Sequence, residues 1–140
     1  MAALSANTAR KTRNTRTRLM AKYPIKGGQV IYAGSLVMVD TSGFAYPGGD
    51  TASRKFVGVA KRKYDGTGLA DGALTVEVYF GHEELFTTAS VTAADIGANG
   101  TISDSDTISN AATTTNDVLV GEIVEYLGSN QAWIAIRRFV

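Results

Sequence analysis

A strand–turn–strand pattern occurs twice in this chain. Phe56-Val57-Gly58-Val59-Ala60-Lys61-Arg62-Lys63-Tyr64 is echoed by Leu119-Val120-Gly121-Glu122-Ile123-Val124-Glu125-Tyr126, and each run passes through a Gly-containing turn into a second apolar-alternating run, residues 73–80 and 132–139. Gly58 and Gly121 lie 63 positions apart, Tyr64 and Tyr126 62, and Phe80 and Phe139 59, so the second copy has lost residues in the turn. A hairpin loop is where deletion is best tolerated, because the register of the flanking strands survives. The pattern reads as a duplicated β-hairpin. Chance is the competing reading, since Val, Gly and alternation are common to β proteins, and two copies fall short of the ~3 that a solenoid or propeller needs.

Period-two alternation continues along the strands. In residues 75–80, Val76, Val78 and Phe80 share one face and Thr75, Glu77 and Tyr79 the other; Trp133 and Ala135 oppose Ile134 and Ile136. Gly58 and Gly121 interrupt β-branched runs, the mark of a bulge or of a close backbone approach. Short strands are expected at residues 29–32, 36–40 and 44–46, separated by Ala33-Gly34-Ser35, Thr41-Ser42-Gly43 and Pro47-Gly48-Gly49-Asp50. Residues 90–97 carry a Ser or Thr cap and a Gly stop, which fits one helical turn. The Thr-, Ser- and Asp-rich segment 99–117 reads as a weak hairpin, residues 101–103 against 107–109, placed at a tip or edge. The expected fold is all-β, a sandwich or small barrel of short antiparallel strands.

At 140 residues and 44% hydrophobic content the chain fits one domain with its own core. It has no cysteine, hence no disulfide, thiolate ligand or thiol nucleophile. Its apolar runs fall far short of the ~20 residues that span a bilayer, and no apolar segment follows the basic N-terminus as in a secretory signal.

The net charge of +1 hides a division. Residues 1–22 carry Arg10, Lys11, Arg13, Arg16, Arg18 and Lys22 without an acid, giving +6; residues 23–140 hold eight basic and thirteen acidic residues, giving −5. The expected organisation is therefore an extended basic arm, 1–22, on a mildly acidic β body, 23–140. With few apolar residues, the arm is expected to stay disordered or extended until a partner orders it. Three roles compete for it: neutralising nucleic-acid phosphates, serving as an organelle presequence, and lying along acidic protein surface. Protein contact is favoured, because no aromatics interleave with the arm's cations and the acidic body repels phosphate.

Residues for chemistry are few. His82 is the sole histidine, and with Glu83 and Glu84 it offers a conceivable metal or acid/base group without the second ligand cluster that zinc requires. Asp104-Ser105-Asp106 with Asn110 lacks the Gly spacing and terminal Glu of a calcium loop. There is no Gly-x-Ser-x-Gly elbow, and the Gly-rich run 65–72 precedes a strand where a phosphate loop would open a helix. No catalytic, metal or cofactor-binding residue is assigned.

Taken in order, Ile31-Tyr32-Ala33-Gly34-Ser35-Leu36-Val37-Met38-Val39-Asp40, Gly43-Phe44-Ala45, Phe56-Val57-Gly58-Val59-Ala60, Gly72-Ala73-Leu74-Thr75-Val76-Glu77-Val78, Asp95-Ile96-Gly97, Ile102-Ser103-Asp104 and Val118-Leu119-Val120-Gly121-Glu122-Ile123-Val124 resemble tailed-bacteriophage capsid decoration proteins, also called cement or head-stabilising proteins. The resemblance covers roughly residues 23–138 and departs at Gly100-Thr101-Ile102, where a more apolar strand start is expected. It implies a small β-barrel or β-tulip body on the outside of an expanded phage head, commonly a homotrimer, bridging capsomers of the major capsid protein. It implies neither an enzyme nor a cofactor, and its arm would become ordered on the shell. Arg10, Lys11, Arg13, Arg16, Arg18 and Lys22 are then the expected contacts to capsid or neighbouring subunit. The rivals are a basic-armed nucleic-acid-binding protein, and a small β-barrel enzyme or sugar-binding module using His82, Glu83 and Glu84.

Overall fold

The computed structural model describes residues 3–137. Its strands are β1 (Thr12–Arg13), β2 (Leu19–Pro24), β3 (Val30–Ile31), β4 (Leu36–Val39), β5 (Ala45–Pro47), β6 (Lys55–Ala60), β7 (Tyr64–Asp65), β8 (Thr75–Phe80), β9 (Glu83–Thr88), β10 (Asn99–Ile102), β11 (Thr107–Ser109), β12 (Leu119–Gly128) and β13 (Gln131–Ala135). Three-residue 3-10 turns at Thr15–Thr17 and Ala93–Asp95 are the helical elements among the described residues. The fold is all-β, as the alternation requires, and contains a closed five-stranded barrel.

That barrel runs β9-β11-β10-β12-β13 and returns to β9. A second set, β2-β8-β6-β4-β5, has the same plan, with Ile25 closing it through a parallel bridge to Ala45. The two units share their register. Adding 63 converts the pairs Val37–Gly58, Met38–Phe56 and Met38–Tyr46 into Gly100–Gly121, Thr101–Leu119 and Thr101–Ser109, with the same bulge in each. The bridge Ile25–Ala45 becomes the parallel pair Thr88–Ile108. Backbone hydrogen bonds repeat as well: Gly34 N–H to Ala60 O and Gly97 N–H to Ile123 O are both 2.9 Å.

The duplication is therefore larger than the hairpin expected from sequence: residues 19–80 and 82–136 are two complete five-stranded units. After the hairpin turn the offset drops from 63 to 56, since Met20–Tyr79 corresponds to Glu83–Ala135 and Tyr23–Val76 to Phe86–Ala132. The deletion in the turn is real, but the counterpart of Phe80 is Ile136; the expected partner Phe139 lies outside the described residues. Matching Phe with Phe shifted the second strand by three positions. Tyr64 belongs to β7, which pairs with β3 in the long loop of the first unit. In the second unit that loop is short, and the segment matching β3 forms the Ala93–Asp95 turn instead, closed by a Thr92–Asp95 capping box. Having lost its partner strand, the backbone satisfies itself locally.

Gly58 and Gly121 explain why the same device recurs. Both have positive φ (148° and 157°), and a Cβ would strike the carbonyl of Tyr79 in one and of Ala135 in the other, corresponding residues of β8 and β13.

Strands β4 and β6 are buried on both faces. Val37, Val57 and Ala60 join the first unit's core with Ile25, Ala45, Val76 and Val78, while Leu36, Met38, Phe56 and Val59 pack with Phe86, Ile102, Ile108, Val120, Ile134 and Ile136 of the second. One wall thus serves two cores, and the units are fused rather than beaded.

Segment 99–117 does contain the expected antiparallel pair, β10 with β11, but not at a tip. Thr101, Ile102, Thr107, Ile108 and Ser109 are buried in the barrel wall. Several of its hydroxyls are bonded there, Ser109 Oγ to Ala89 O at 2.8 Å and Thr114 Oγ1 to Thr101 Oγ1 at 2.9 Å, whereas the buried Thr107 Oγ1 has no partner among the described residues.

Candidate functional site

The arm is not left waiting for a partner. Leu4 N–H donates to Ser105 Oγ and Thr8 N–H to Ala33 O, both 2.9 Å, and β1 then adds antiparallel to β9 (Thr12–Glu84, Arg13–Glu83) while Lys11 O accepts Leu85 N–H. The low apolar content that suggested disorder is offset by charge pairing with the acidic body and by β-ladder bonds, neither of which a hydrophobicity argument sees. Nor does the arm end at residue 22: β2 spans that boundary and belongs to the first unit.

Three of the six arm cations are met by carboxylates. The Arg10 side chain is only 6% exposed; its guanidinium donates to Gly34 O (3.0 and 3.1 Å) and Asp106 Oδ1 (2.5 Å), and lies 4.0 Å from the Phe86 ring centre. Gly34 is required here: its φ is +87°, and a Cβ would run into the Thr8 carbonyl of the arm. Arg13 bridges Glu83 (2.7 Å) and Glu125 (3.0 Å) and stacks 4.2 Å over Trp133. Desolvation opposes its charge, yet the hydrogen bonds to Glu83 and Glu125 hold its pKa above the ordinary guanidinium value. Lys22, on β2, is 3.7 Å from Glu77. Lys11, Arg16 and Arg18 are exposed and form no ion pair among the described residues, although Arg18 lies 4.6 Å over the Tyr79 ring.

Basic and aromatic groups do interleave, in space rather than along the chain. Lys61 approaches Tyr79 (5.0 Å), Arg62 Tyr64 (5.8 Å), Lys63 Tyr32 (5.2 Å) and Arg54 Tyr46 (3.6 Å). Such contacts contribute ~0.5–1 kcal/mol each at exposed sites and hold the cations in defined positions. The sequence carried one hint, the run Lys61-Arg62-Lys63-Tyr64, but Tyr79 and Tyr32 come to it only through β8 and the β3–β7 pair.

The residues of the enzyme rival are separated by the strand. Glu83 turns out to Arg13, whereas Glu84 turns in and meets His82 Nε2 at 2.6 Å, both residues buried. His82 Nδ1 has no hydrogen-bond partner among the described residues. Asp104 accepts Asp106 N–H at 2.8 Å and Asp106 is held by Arg10, so the acids of the conceivable calcium loop serve the arm and its own turn. No group of three His, Cys, Asp or Glu placed to hold a metal occurs among the described residues, and no helix there is long and apolar enough to cross a membrane.

A double barrel presents a strapped arm, with Lys11, Arg16 and Arg18 free of ion pairs among the described residues and exposed Leu19 (59%) and Met20 (50%) next along the chain from Arg18. Comparison with protein-family models, with curated proteins and with solved structures gave no match.

Proposed function

We propose that the chain is a structural virion protein, a capsid decoration protein of the tailed-phage type, which binds the outside of an expanded head and stabilises it by bridging capsomers. The observation that carries this reading is the patch where the arm meets β2: Arg16 and Arg18, without ion pairs among the described residues, beside exposed Leu19 and Met20, on a body whose two fused cores make it rigid. Exposed apolar groups rimmed by cations suit an acidic protein surface, and many weak copies on one shell add by multivalency. The sequence resemblance supplies the kind of surface, the major capsid protein, and the homotrimer as the expected state. The proposal assigns the chain no catalysis and no cofactor.

The test is co-sedimentation with expanded empty heads, with the mass of the free protein measured alongside. Wild-type protein should pellet with heads, and Lys11→Glu/Arg16→Glu, altering exposed side chains, should pellet about tenfold less at low salt. Failure of the wild type to bind expanded heads would remove the proposal. Deleting residues 1–22 is a poor variant because it removes most of β2. A second reading, single-stranded nucleic acid, is favoured by the cation–tyrosine pairs at Tyr79, Tyr64 and Tyr32. Salt-sensitive retardation of an oligonucleotide in a gel, without head binding, would decide for it.

A further inference from the structure

The internal duplication supplies a control for each surface of the molecule, and at one place the first unit carries a charged group that the second lacks. Arg18 and Lys61 both lie over the Tyr79 ring, 4.6 and 5.0 Å from its centre, and the three side chains line one cleft. Neither cation forms an ion pair among the described residues. In the second unit the matching positions are Gly81, Val124 and Ala135, by the same offsets of 63 and 56 that relate the strands. The five-stranded plan therefore forms without these two cations and their ring.

The cleft is built where the arm meets the body. Thr8 and Arg10 of the arm line it together with Gly34 and Ala60 of the first unit and Glu84 of the second. Two of its charged groups are already engaged: Arg10 donates to Asp106, and the Glu84 carboxylate meets His82 Nε2 at 2.6 Å. Arg18 and Lys61 are left uncompensated. On the outward face of β8, where Tyr79 stands, the cations next to it are not: Lys22 and Arg62 both meet Glu77, at 3.7 and 3.4 Å. A polyanion running from the cleft along β8 would next meet cations already neutralised by Glu77, so the charge on offer suits one anionic group and not a chain of them. The cleft's volume of about 280 Å³ lies below the roughly 300–1,000 Å³ of sites for drug-sized ligands, which also favours a small group.

We infer that this cleft is a binding site for a single phosphate group, as free phosphate or a small phosphate monoester, held by Arg18 and Lys61. A phosphate carries about −1.5 to −2 charges at neutral pH and so neutralises both uncompensated cations, whereas one carboxylate would leave a charge over. Arg18 supplies a planar fork of donors and Lys61 a point charge, the two donor types that hold phosphate oxygens, and Tyr79 keeps both at the cleft. Because Thr8 and Arg10 belong to the arm, the site is complete only with the arm docked, and a bound phosphate stabilises docking by mass action. The inference goes beyond the proposed function and stands independently of the capsid reading.

The experiment uses the full chain, 15N-labelled, titrated with sodium phosphate and, at matched ionic strength, with sodium chloride. Phosphate should shift the amides of Arg18, Lys61 and Tyr79 to saturation, and Arg18→Gln/Lys61→Gln should weaken that binding about tenfold or more while keeping a folded spectrum. With phosphate at about ten times its Kd, amide exchange at Thr8 and Leu85, which bond to Ala33 O and Lys11 O, should slow about tenfold while Ile123 does not change. Shifts that grow alike in both salts without saturating would overturn the site, leaving general screening. Saturation confined to other residues would overturn the location, and unchanged exchange at Thr8 would overturn the coupling to the arm. A short oligothymidylate without terminal phosphates separates the sources of the group. Weaker binding than inorganic phosphate at these residues supports the single phosphate; tighter binding would overturn it in favour of a nucleic-acid strand.

Discussion

The first unit, residues 19–80, and the second, residues 82–136, are the same five strands in the same register, yet they have diverged in what surrounds them. In the first, β4 and β6 are apolar on both faces; Leu36, Met38, Phe56 and Val59 support the neighbouring core. Their counterparts Asn99, Thr101, Leu119 and Glu122 include three that are not buried. In the second unit the arm covers β9; in the first, residues 20–22 of β2 pair with β8 alone among the described residues. Duplication fixes the scaffold, and the positions where the copies part are where packing between the units and docking of the arm have been added.

The shared wall gives the largest expected difference between counterparts. Phe56→Ala removes a side chain 1% exposed in the joint core and should cost about 3–5 kcal/mol, whereas Leu119→Ala, half-buried at the matching position, should cost less than about 1.5. Urea denaturation of both variants checks this; similar losses would mean that the two units do not share a wall. Next come the bulge glycines. Gly121→Ala forces a Cβ into the Ala135 backbone and should cost roughly 2–4 kcal/mol, more than Gly58→Ala, whose Cβ would lie 2.8 Å from Tyr79 O. An inverted order in the same denaturation series would break the equivalence of the two bulges.

Arm docking is unique to one side of the comparison and should respond more mildly. Asp106→Asn takes the carboxylate from a guanidinium only 6% exposed, and a loss of about 2 kcal/mol is expected, with Gly34 O still accepting. The effect should be local. Amide exchange at Thr8 and Leu85, which bond to Ala33 O and Lys11 O, should accelerate while Ile123, bonded to Ala98 O in the second barrel, stays protected. Uniform acceleration would show that the arm is part of the cooperative fold and not a strap upon it.

Much of this was legible from residues alone, because period two survives in short strands and Gly58 and Gly121 mark the same bulge. The full extent of the duplication was not. Its first strand reads Leu-Met-Ala-Lys-Tyr-Pro in one unit and Glu-Glu-Leu-Phe-Thr-Thr in the other, and its second reads Leu-Val-Met-Val against Asn-Gly-Thr-Ile, so identity is lost where the environments differ. Polar Thr107 and Ser109 pointed outward by composition, but a barrel wall only a few residues long buries whatever stands at its inward and packed positions. The arm cations were found by charge counting. That Arg10 would be sequestered by Asp106 and Gly34 while Arg18 stayed unpaired depends on contacts spanning 96 and 24 positions, which no local pattern carries.

The smallest expected effect concerns the loop between the third and fourth strands of each barrel. Asp50, in the first unit, accepts from Thr115 N–H and Asn116 N–H of the second, both at 2.8 Å, while its own backbone O takes Asn116 Nδ2. Thr113, the counterpart of Asp50, bonds within its own loop and to Ser109 and to nothing else among the described residues. The Thr115 bond, followed by those from Asn116, holds the Asp50 pKa below its ordinary 3.8 against the opposing effect of burial. Because the folded-state value is the lower one, the clamp's contribution is complete above the unfolded value and is lost as the pH falls through the folded one. Thr115 and Asn116 amides, once corrected for intrinsic exchange, should therefore keep their protection from pH 7 down to about 5 and lose it below about 4. Asp50→Asn should leave them less protected at neutral pH and level across the same range. A wild-type loop whose protection is unchanged to pH 3 would show that the two hydrogen bonds, and not the charge, make the clamp, and would remove the electrostatic distinction between Asp50 and Thr113.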